Sequence, residues 1–354
     1  MRSWTFALPL LALVALVLSW GRELPTVVVF LVALLLAGAV LAAVHHAEVI
    51  AHRVGEPFGS LVLAVAVTVI EVALIVSLMI SGGEKTASLA RDTVFAAVMI
   101  TCNGIVGLSL LSSTLRRRVA VFNAEGTGGA LATVATLSTL SLVLPTFTTS
   151  QEGAAFTPAQ LGFAAVASIA LYGLFVLTQT VRHRDYFLPV ERVGQEEHAP
   201  RPSSRATLLS LVLLLVALVA VVGLAKVESP VIEAAVALAG LPQAVVGVVI
   251  ALLVLLPETI AAVRAARRGQ FQISLNLALG SAMASIGLTI PVIAVASIWF
   301  TGPLLLGLGP THLVLLGLTF VVSTLTVVPG RATLLQSGVH LVIFAGFLFL
   351  AISP

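Results

Sequence analysis

The sequence predicts an all-α polytopic membrane protein, and three observations carry that prediction. Hydrophobic residues make up 59% of the 354-residue chain and charged residues only 9%, whereas a water-soluble domain carries roughly 25% charged residues. Mean hydropathy is +1.15. The apolar residues fall into runs of about 20, the length a helix needs to cross the hydrocarbon core. The same numbers exclude other classes. A single cysteine, Cys102, excludes a disulfide scaffold. Two tyrosines and an aromatic share of 6% exclude the aromatic girdles of an outer-membrane barrel. The net charge of +3 is spread over short segments and forms no basic face for nucleic acid.

Taken in order, the breaks at charge clusters, Gly and Pro predict about 11 transmembrane helices: 5–20, 25–46, 58–80, 92–114, 128–146, 159–181, 206–226, 243–266, 272–299, 308–328 and 333–352. The first span follows Arg2, as in a signal peptide. Ser19-Trp20-Gly21-Arg22 is a poor cleavage site, however, so residues 1–24 are expected to form an N-terminal extra transmembrane helix. Residues 182–205 combine Asp185, Glu191, Glu196 and Glu197 with five arginines and three prolines, which reads as a solvated linker. It separates a first five-helix repeat, 25–181, from a second, 206–354. An odd number of spans turns the second unit over relative to the first, which gives a 5+5 inverted-topology repeat of the kind common in secondary transporters. Fourteen of the 18 Lys and Arg residues fall on the N-terminal side of the spans and four on the other. By the positive-inside rule the N-terminus and the linker are cytoplasmic and the C-terminus is external.

The two halves share a weak internal correspondence. Glu71 lies on the second span of the first half and Glu258 on the second span of the second. Eleven residues before them stand Ser60 and Gly247, and seven before them Ala64 and Ala251. These offsets place the three positions on one helix face, where small residues allow close helix approach. In the following spans Val98–Asn103 aligns with Gly280–Ser285, which sets Asn103 opposite Ser285.

Glu71 has no other charge between Glu56 and Glu84. A carboxylate at the bilayer centre costs about 3 kcal/mol on insertion scales, so such a group is a functional candidate by default. Glu258 follows Pro257, whose missing N–H frees the carbonyl of Leu253. Asn103, Ser281 and Ser285 offer amide and hydroxyl oxygens. Together with two carboxylates they form a hard donor set suited to Ca²⁺, although interhelical hydrogen bonding is the ordinary role of such residues. Cys102 reads as a small apolar packing residue. His45, Glu48 and His52 share a helix face but lack the two-turn zinc pattern, and they read as a solvated interfacial helix. His340, in the last span, reads as a hydrogen-bonded core residue, and Arg331 as an interface anchor. No phosphate-binding loop, nucleophile elbow, paired-cysteine motif or potassium selectivity filter occurs. An ion gradient remains as the source of energy.

The chain resembles bacterial calcium/proton (sodium–calcium/proton) antiporters of the cation/proton exchanger family, within the calcium:cation antiporter superfamily. The resemblance covers about residues 25–350. It rests on Ala51–Ser60 leading to Glu71, Arg91-Asp92-Thr93, Gln179–His183, Pro257-Glu258, Asn276-Leu277, Gly280-Ser281 and Gly330-Arg331. It implies that Glu71 and Glu258 bind cation or proton, with Asn103 and Ser285 as polar neighbours. Many members carry Gly-Asn three to four residues before each glutamate. This chain has Val67-Thr68 and Val254-Leu255 there, which implies lower calcium affinity and competition from a monovalent ion. Thr68, Ser281 and the Leu253 carbonyl complete the expected ligands.

The expected activity is export of Ca²⁺, and also Na⁺, in exchange for external H⁺ across the bacterial inner membrane. The transported Ca²⁺ is the metal, and no cofactor or nucleic-acid partner is expected. The alternatives are a Na⁺ or K⁺/H⁺ antiporter and, from another class, a membrane-embedded metal-dependent hydrolase built on His45, Glu48 and His52.

Overall fold

The computed structural model describes residues 3–22, 24–55, 58–82, 86–189, 202–242, 244–299 and 303–354. Glu56, Pro57, Lys85, the linker residues 190–201, and the side chain of Ser60 lie outside the described residues. A helix lies over each predicted span. The helices are α1 (Ser3–Ser19), α2 (Thr26–Val54), α3 (Phe58–Gly82), α4 (Leu89–Met99), α5 (Val106–Arg117), α6 (Ala124–Ser138), α7 (Leu144–Phe147), α8 (Pro158–Leu177), α9 (Ser204–Leu238), α10 (Ala244–Arg267), α11 (Phe271–Ala296), α12 (Pro310–Val327) and α13 (Leu334–Ile352). Among the described residues nine helical segments are long and apolar enough to cross a membrane, and Trp4–Ser19 and Ala64–Ile80 are shorter apolar helices.

Three of the rods contain π-helical turns. Ile100–Ile105 joins α4 to α5, Thr139–Val143 joins α6 to α7, and Thr178–Arg182 ends α8. Pro145 follows the second of these and cannot donate to the helical ladder, so the chain widens before it. The first has no proline. Its Gly104 faces the Phe344 ring, which stands 3.3 Å from where a Cβ would lie. A side chain there would press α13 away.

Small residues set the spacing of the bundle. An added Cβ on Gly223 of α9 would lie 2.5 Å from the end of the Leu16 side chain of α1, which would have to turn aside. Gly247 of α10 rests on the backbone of Asp92 and Thr93, with a Cβ clearance of only 3.1–3.2 Å. That contact is the close helix approach expected for this position. α11 is buried along most of its length and packs against α3, α6, α8 and α10.

Two helices outrun the expected boundaries. α2 continues from residue 46 to Val54, and α9 from residue 226 to Leu238. The His45–Arg53 segment is therefore not a separate interfacial helix. His46 is fully buried, with Nε2 2.9 Å from the Thr5 carbonyl oxygen. At one end, residues 303–309 form a non-helical segment before α12. Leu305 N–H donates to Ala87 O at 3.0 Å, Gly307 N–H to Ala154 O at 2.9 Å, and Leu308 N–H to Leu142 O at 2.9 Å. At the other end a short antiparallel ladder pairs β1 (Ala120–Val121) with β2 (Arg331–Ala332). Arg331 is exposed there.

Candidate functional site

α3 and α10 both pack on α11, and each brings one carboxylate to it. Glu71 and Glu258 are both buried. Ser285 Oγ donates to Glu71 Oε2 at 2.6 Å. Ser281 Oγ donates to Glu258 Oε2. The two serines are one turn apart, so a single face of α11 serves both glutamates. The two carboxylates lie near enough to interact electrostatically. The remaining oxygen of Glu71, Oε1, is buried with no hydrogen-bond partner, an expensive condition for a polar atom away from water.

Glu258 also lines a cavity of ≈ 30 Å³ with Ala64, Tyr172, Gln179, Asn276 and Ser281 among its walls. A volume of that size holds a water molecule or two. α10 runs unbroken through Pro257, so the Leu253 carbonyl lacks its helical donor. Thr68 is buried one helical turn before Glu71.

Asn103 is not brought to either carboxylate. Its Nδ2 donates to Thr319 Oγ1 at 2.9 Å, and its Oδ1 lies 3.1 Å from His340 Nδ1. His340 Nε2 lies 3.1 Å from Thr326 Oγ1. One proton arrangement satisfies the whole chain: Thr326 donates to Nε2, Nδ1–H donates to Asn103, and Asn103 donates to Thr319, which donates to the Leu315 carbonyl oxygen at 2.8 Å. His340 is thus the hydrogen-bonded core residue its sequence position suggests. The π turn carries Asn103 toward α12 and α13.

His45 and Glu48 form a 3.9 Å pair. Among the described residues no group of three or more His, Cys, Asp or Glu could hold a metal ion. Tyr172 and Gln179 were not singled out as site residues by sequence. The available signal was a tyrosine, one of only two in the chain, and an amide inside an apolar span.

A family model described as sodium/calcium exchanger protein matches residues 24–181 and 209–353. The chain is 48% identical over 354 residues to y4hA of Sinorhizobium fredii, whose name proposes only an ionic transporter; the match covers 99% of this chain and 96% of that one. It is 33% identical over 347 residues to the sodium-potassium/proton antiporter ChaA of Escherichia coli, covering 96% of this chain and 93% of the relative. Its fold is similar to that of native YfkE, with TM-score 0.73 and 15% identity over 99% of this chain and 100% of the other. It is also similar to that of the H⁺/Ca²⁺ exchanger CAX, with TM-score 0.71 and 14% identity over 98% and 86%. At such identities the structural likeness is one of fold.

Proposed function

The chain belongs to the sodium/calcium exchanger family, and from that premise we propose that it is a secondary antiporter exchanging cytoplasmic Ca²⁺, with Na⁺ as a competing cargo, for external H⁺ by alternating access. The family is one of multi-pass cation transporters, so the chain is not an enzyme, and a metal-dependent hydrolase is set aside. The observation that carries the reading is the pair of buried glutamates held by two serines of one helix. Two buried carboxylates within electrostatic reach of each other are costly when both are charged and unpaired. A divalent cation neutralises both at once, and protons do the same when the cation leaves. The two occupants exclude each other, and that exclusion makes the exchange obligatory.

The proposed ligands are Glu71 and Glu258, supported by Ser281, Ser285, Thr68 and the Leu253 carbonyl. Asn103 joins them only if it leaves His340 and Thr319. The family match falls in two stretches on either side of the linker, which supports a 5+5 repeat. The charge asymmetry supports a cytoplasmic N-terminus in a bacterial inner membrane.

A second reading, a Na⁺ or K⁺/H⁺ antiporter with little Ca²⁺ activity, is favoured by the similarity to ChaA. Thr68 and Leu255, where an amide was expected, favour it too. Everted vesicles with an acid interior separate the two. Ca²⁺ dissipating the gradient at the lowest concentration supports the first reading. Dissipation by Na⁺ or K⁺ alone supports the second. No response to Ca²⁺, Na⁺, K⁺ or Mg²⁺ contradicts both.

A further inference from the structure

We infer that the cavity beside Glu258 is an entry site for a partly hydrated cation, in which the Gln179 amide and the Tyr172 hydroxyl replace part of the water shell before the ion reaches the two carboxylates. The inference rests on the antiporter reading and adds to it a direction of access and two residues that control it.

The cavity wall carries Glu258, Ser281, Tyr172, Gln179 and Asn276, against an otherwise apolar lining. All five offer oxygen, the donor that Ca²⁺ and Na⁺ prefer. Asn276 is held in place: its Nδ2 donates to the Phe187 carbonyl oxygen at 2.7 Å, and its Oδ1 accepts from Gln272 Nε2 at 2.9 Å. Gln179 and Tyr172 differ from it. Neither side chain makes a hydrogen bond to another described residue. Polar groups in a largely apolar wall are costly unless water or a ligand satisfies them. The Tyr172 phenol lies close enough to Glu258 to interact with its charge. Tyr172 is seated against Gly287, where an added Cβ would come within 2.8 Å of the tyrosine Cβ and 3.1 Å of its ring. That glycine lets the tyrosine stand against α11 beside the carboxylate.

Direction follows from where these residues sit on their helices. Gln179 is one turn before Arg182, and Asn276 lies in the second turn of α11, which follows Arg267 and Arg268. The cavity therefore runs from Glu258 toward the arginine-rich end. With room for only a water or two, a hydrated cation cannot enter without exchanging water for protein oxygens. Gln179 and Tyr172 supply those oxygens on the approach, and Ser281 and Glu258 at its end.

The test measures half-saturating Ca²⁺ separately at the two membrane faces, in everted and right-side-out vesicles carrying Gln179→Leu or Tyr172→Phe. Losing one uncharged polar partner predicts a rise of about fivefold at the arginine-rich face, larger than any loss of maximal rate, and no rise at the opposite face. Equal rises at both faces, or none at either, would overturn the inference. If Gln179→Leu does not reach the membrane, Gln179→Glu serves: it should lower half-saturating Ca²⁺ at the arginine-rich face, and an unchanged value there would also overturn it. Glu258→Gln is assayed alongside. Its loss of transport together with an unaffected Gln179→Leu removes the entry site and leaves the two-carboxylate reading standing. Normal transport by Glu258→Gln removes both.

Discussion

Glu71 and Glu258 occupy matching surroundings and differ in what lies beyond them. Each is buried on a helix that packs against α11, and each accepts a hydrogen bond from a serine of that helix. Glu71 then has a second oxygen that is buried without a partner. Glu258 instead lines a cavity of ≈ 30 Å³ shared with Tyr172, Gln179 and Asn276. The difference teaches that two carboxylates with like hydrogen-bond partners need not have equal access. Both carboxylates are buried, but only Glu258 borders a cavity large enough for water. Glu71 is therefore expected to be the less forgiving of change.

The largest effect expected is from Glu71→Gln and Glu258→Gln. Each keeps the size of the side chain and removes the ionisable proton. Coupled cation/proton exchange should be lost in both, with folded protein retained in the membrane, as read by gradient dissipation and membrane yield. If the glutamates were only structural, a neutral amide would be tolerated, since it avoids a buried charge.

Shortening the arm comes next and tests the asymmetry itself. Glu→Asp withdraws the carboxylate by about 1.5 Å. At position 258 a cavity water can bridge the gap. At position 71 the buried surroundings offer no such relief. Glu71→Asp should raise half-saturating cation concentration more than Glu258→Asp, and the reverse order would break the comparison.

Removing the serines should show the same ranking at smaller scale. Ser285→Ala takes from Glu71 its hydrogen bond on Oε2, while Oε1 already lacks one. Leaving a buried group unpaired costs about 1–3 kcal/mol, so an affinity change near tenfold is expected. Ser281→Ala should cost less, because water can reach Glu258. Equal effects in a cation-binding assay would argue that the cavity does not serve the site.

The smallest effect on transport is expected from Asn103→Ala. Its amide is engaged with Thr319 and His340, so the change should lower thermal stability by about 1–3 kcal/mol and leave half-saturating cation concentration nearly unchanged. A large loss of affinity without loss of stability would return Asn103 to the list of ligands.

Much of this was legible in the sequence because the relevant signals are local. Apolar runs placed the helices, and the isolation of Glu71 in an uncharged stretch marked it. Ser281 and Ser285 were visible at one-turn spacing. Gly247 was read as a point of close approach, and it rests on the backbone of α4. Other features depend on contacts far apart in the chain. The hydrogen bond from His340 to Asn103 joins residues 237 positions apart, and nothing near Asn103 announces it. The π turn over Ile100–Ile105 has no proline to mark it. The non-helical segment 303–309 is held by backbone bonds to Ala87, Leu142 and Ala154, which no periodicity encodes. α2 runs past His46 because that side chain finds a backbone carbonyl of α1, a partner 41 residues away that the local sequence does not reveal. The cavity lined by Tyr172 and Gln179 also required the fold, since α3, α8 with its closing π turn, α10 and α11 build it together.

The central claim is that cation and protons compete for the two glutamates, and proton release on cation binding tests it most directly. Purified protein in detergent, in weakly buffered solution with a pH indicator, is titrated with Ca²⁺ and then with Na⁺. The account predicts that binding releases protons from the wild-type protein, that Glu71→Gln and Glu258→Gln each release fewer, and that the double variant releases none. Cation binding without proton release, or release undiminished in the double variant, would contradict it.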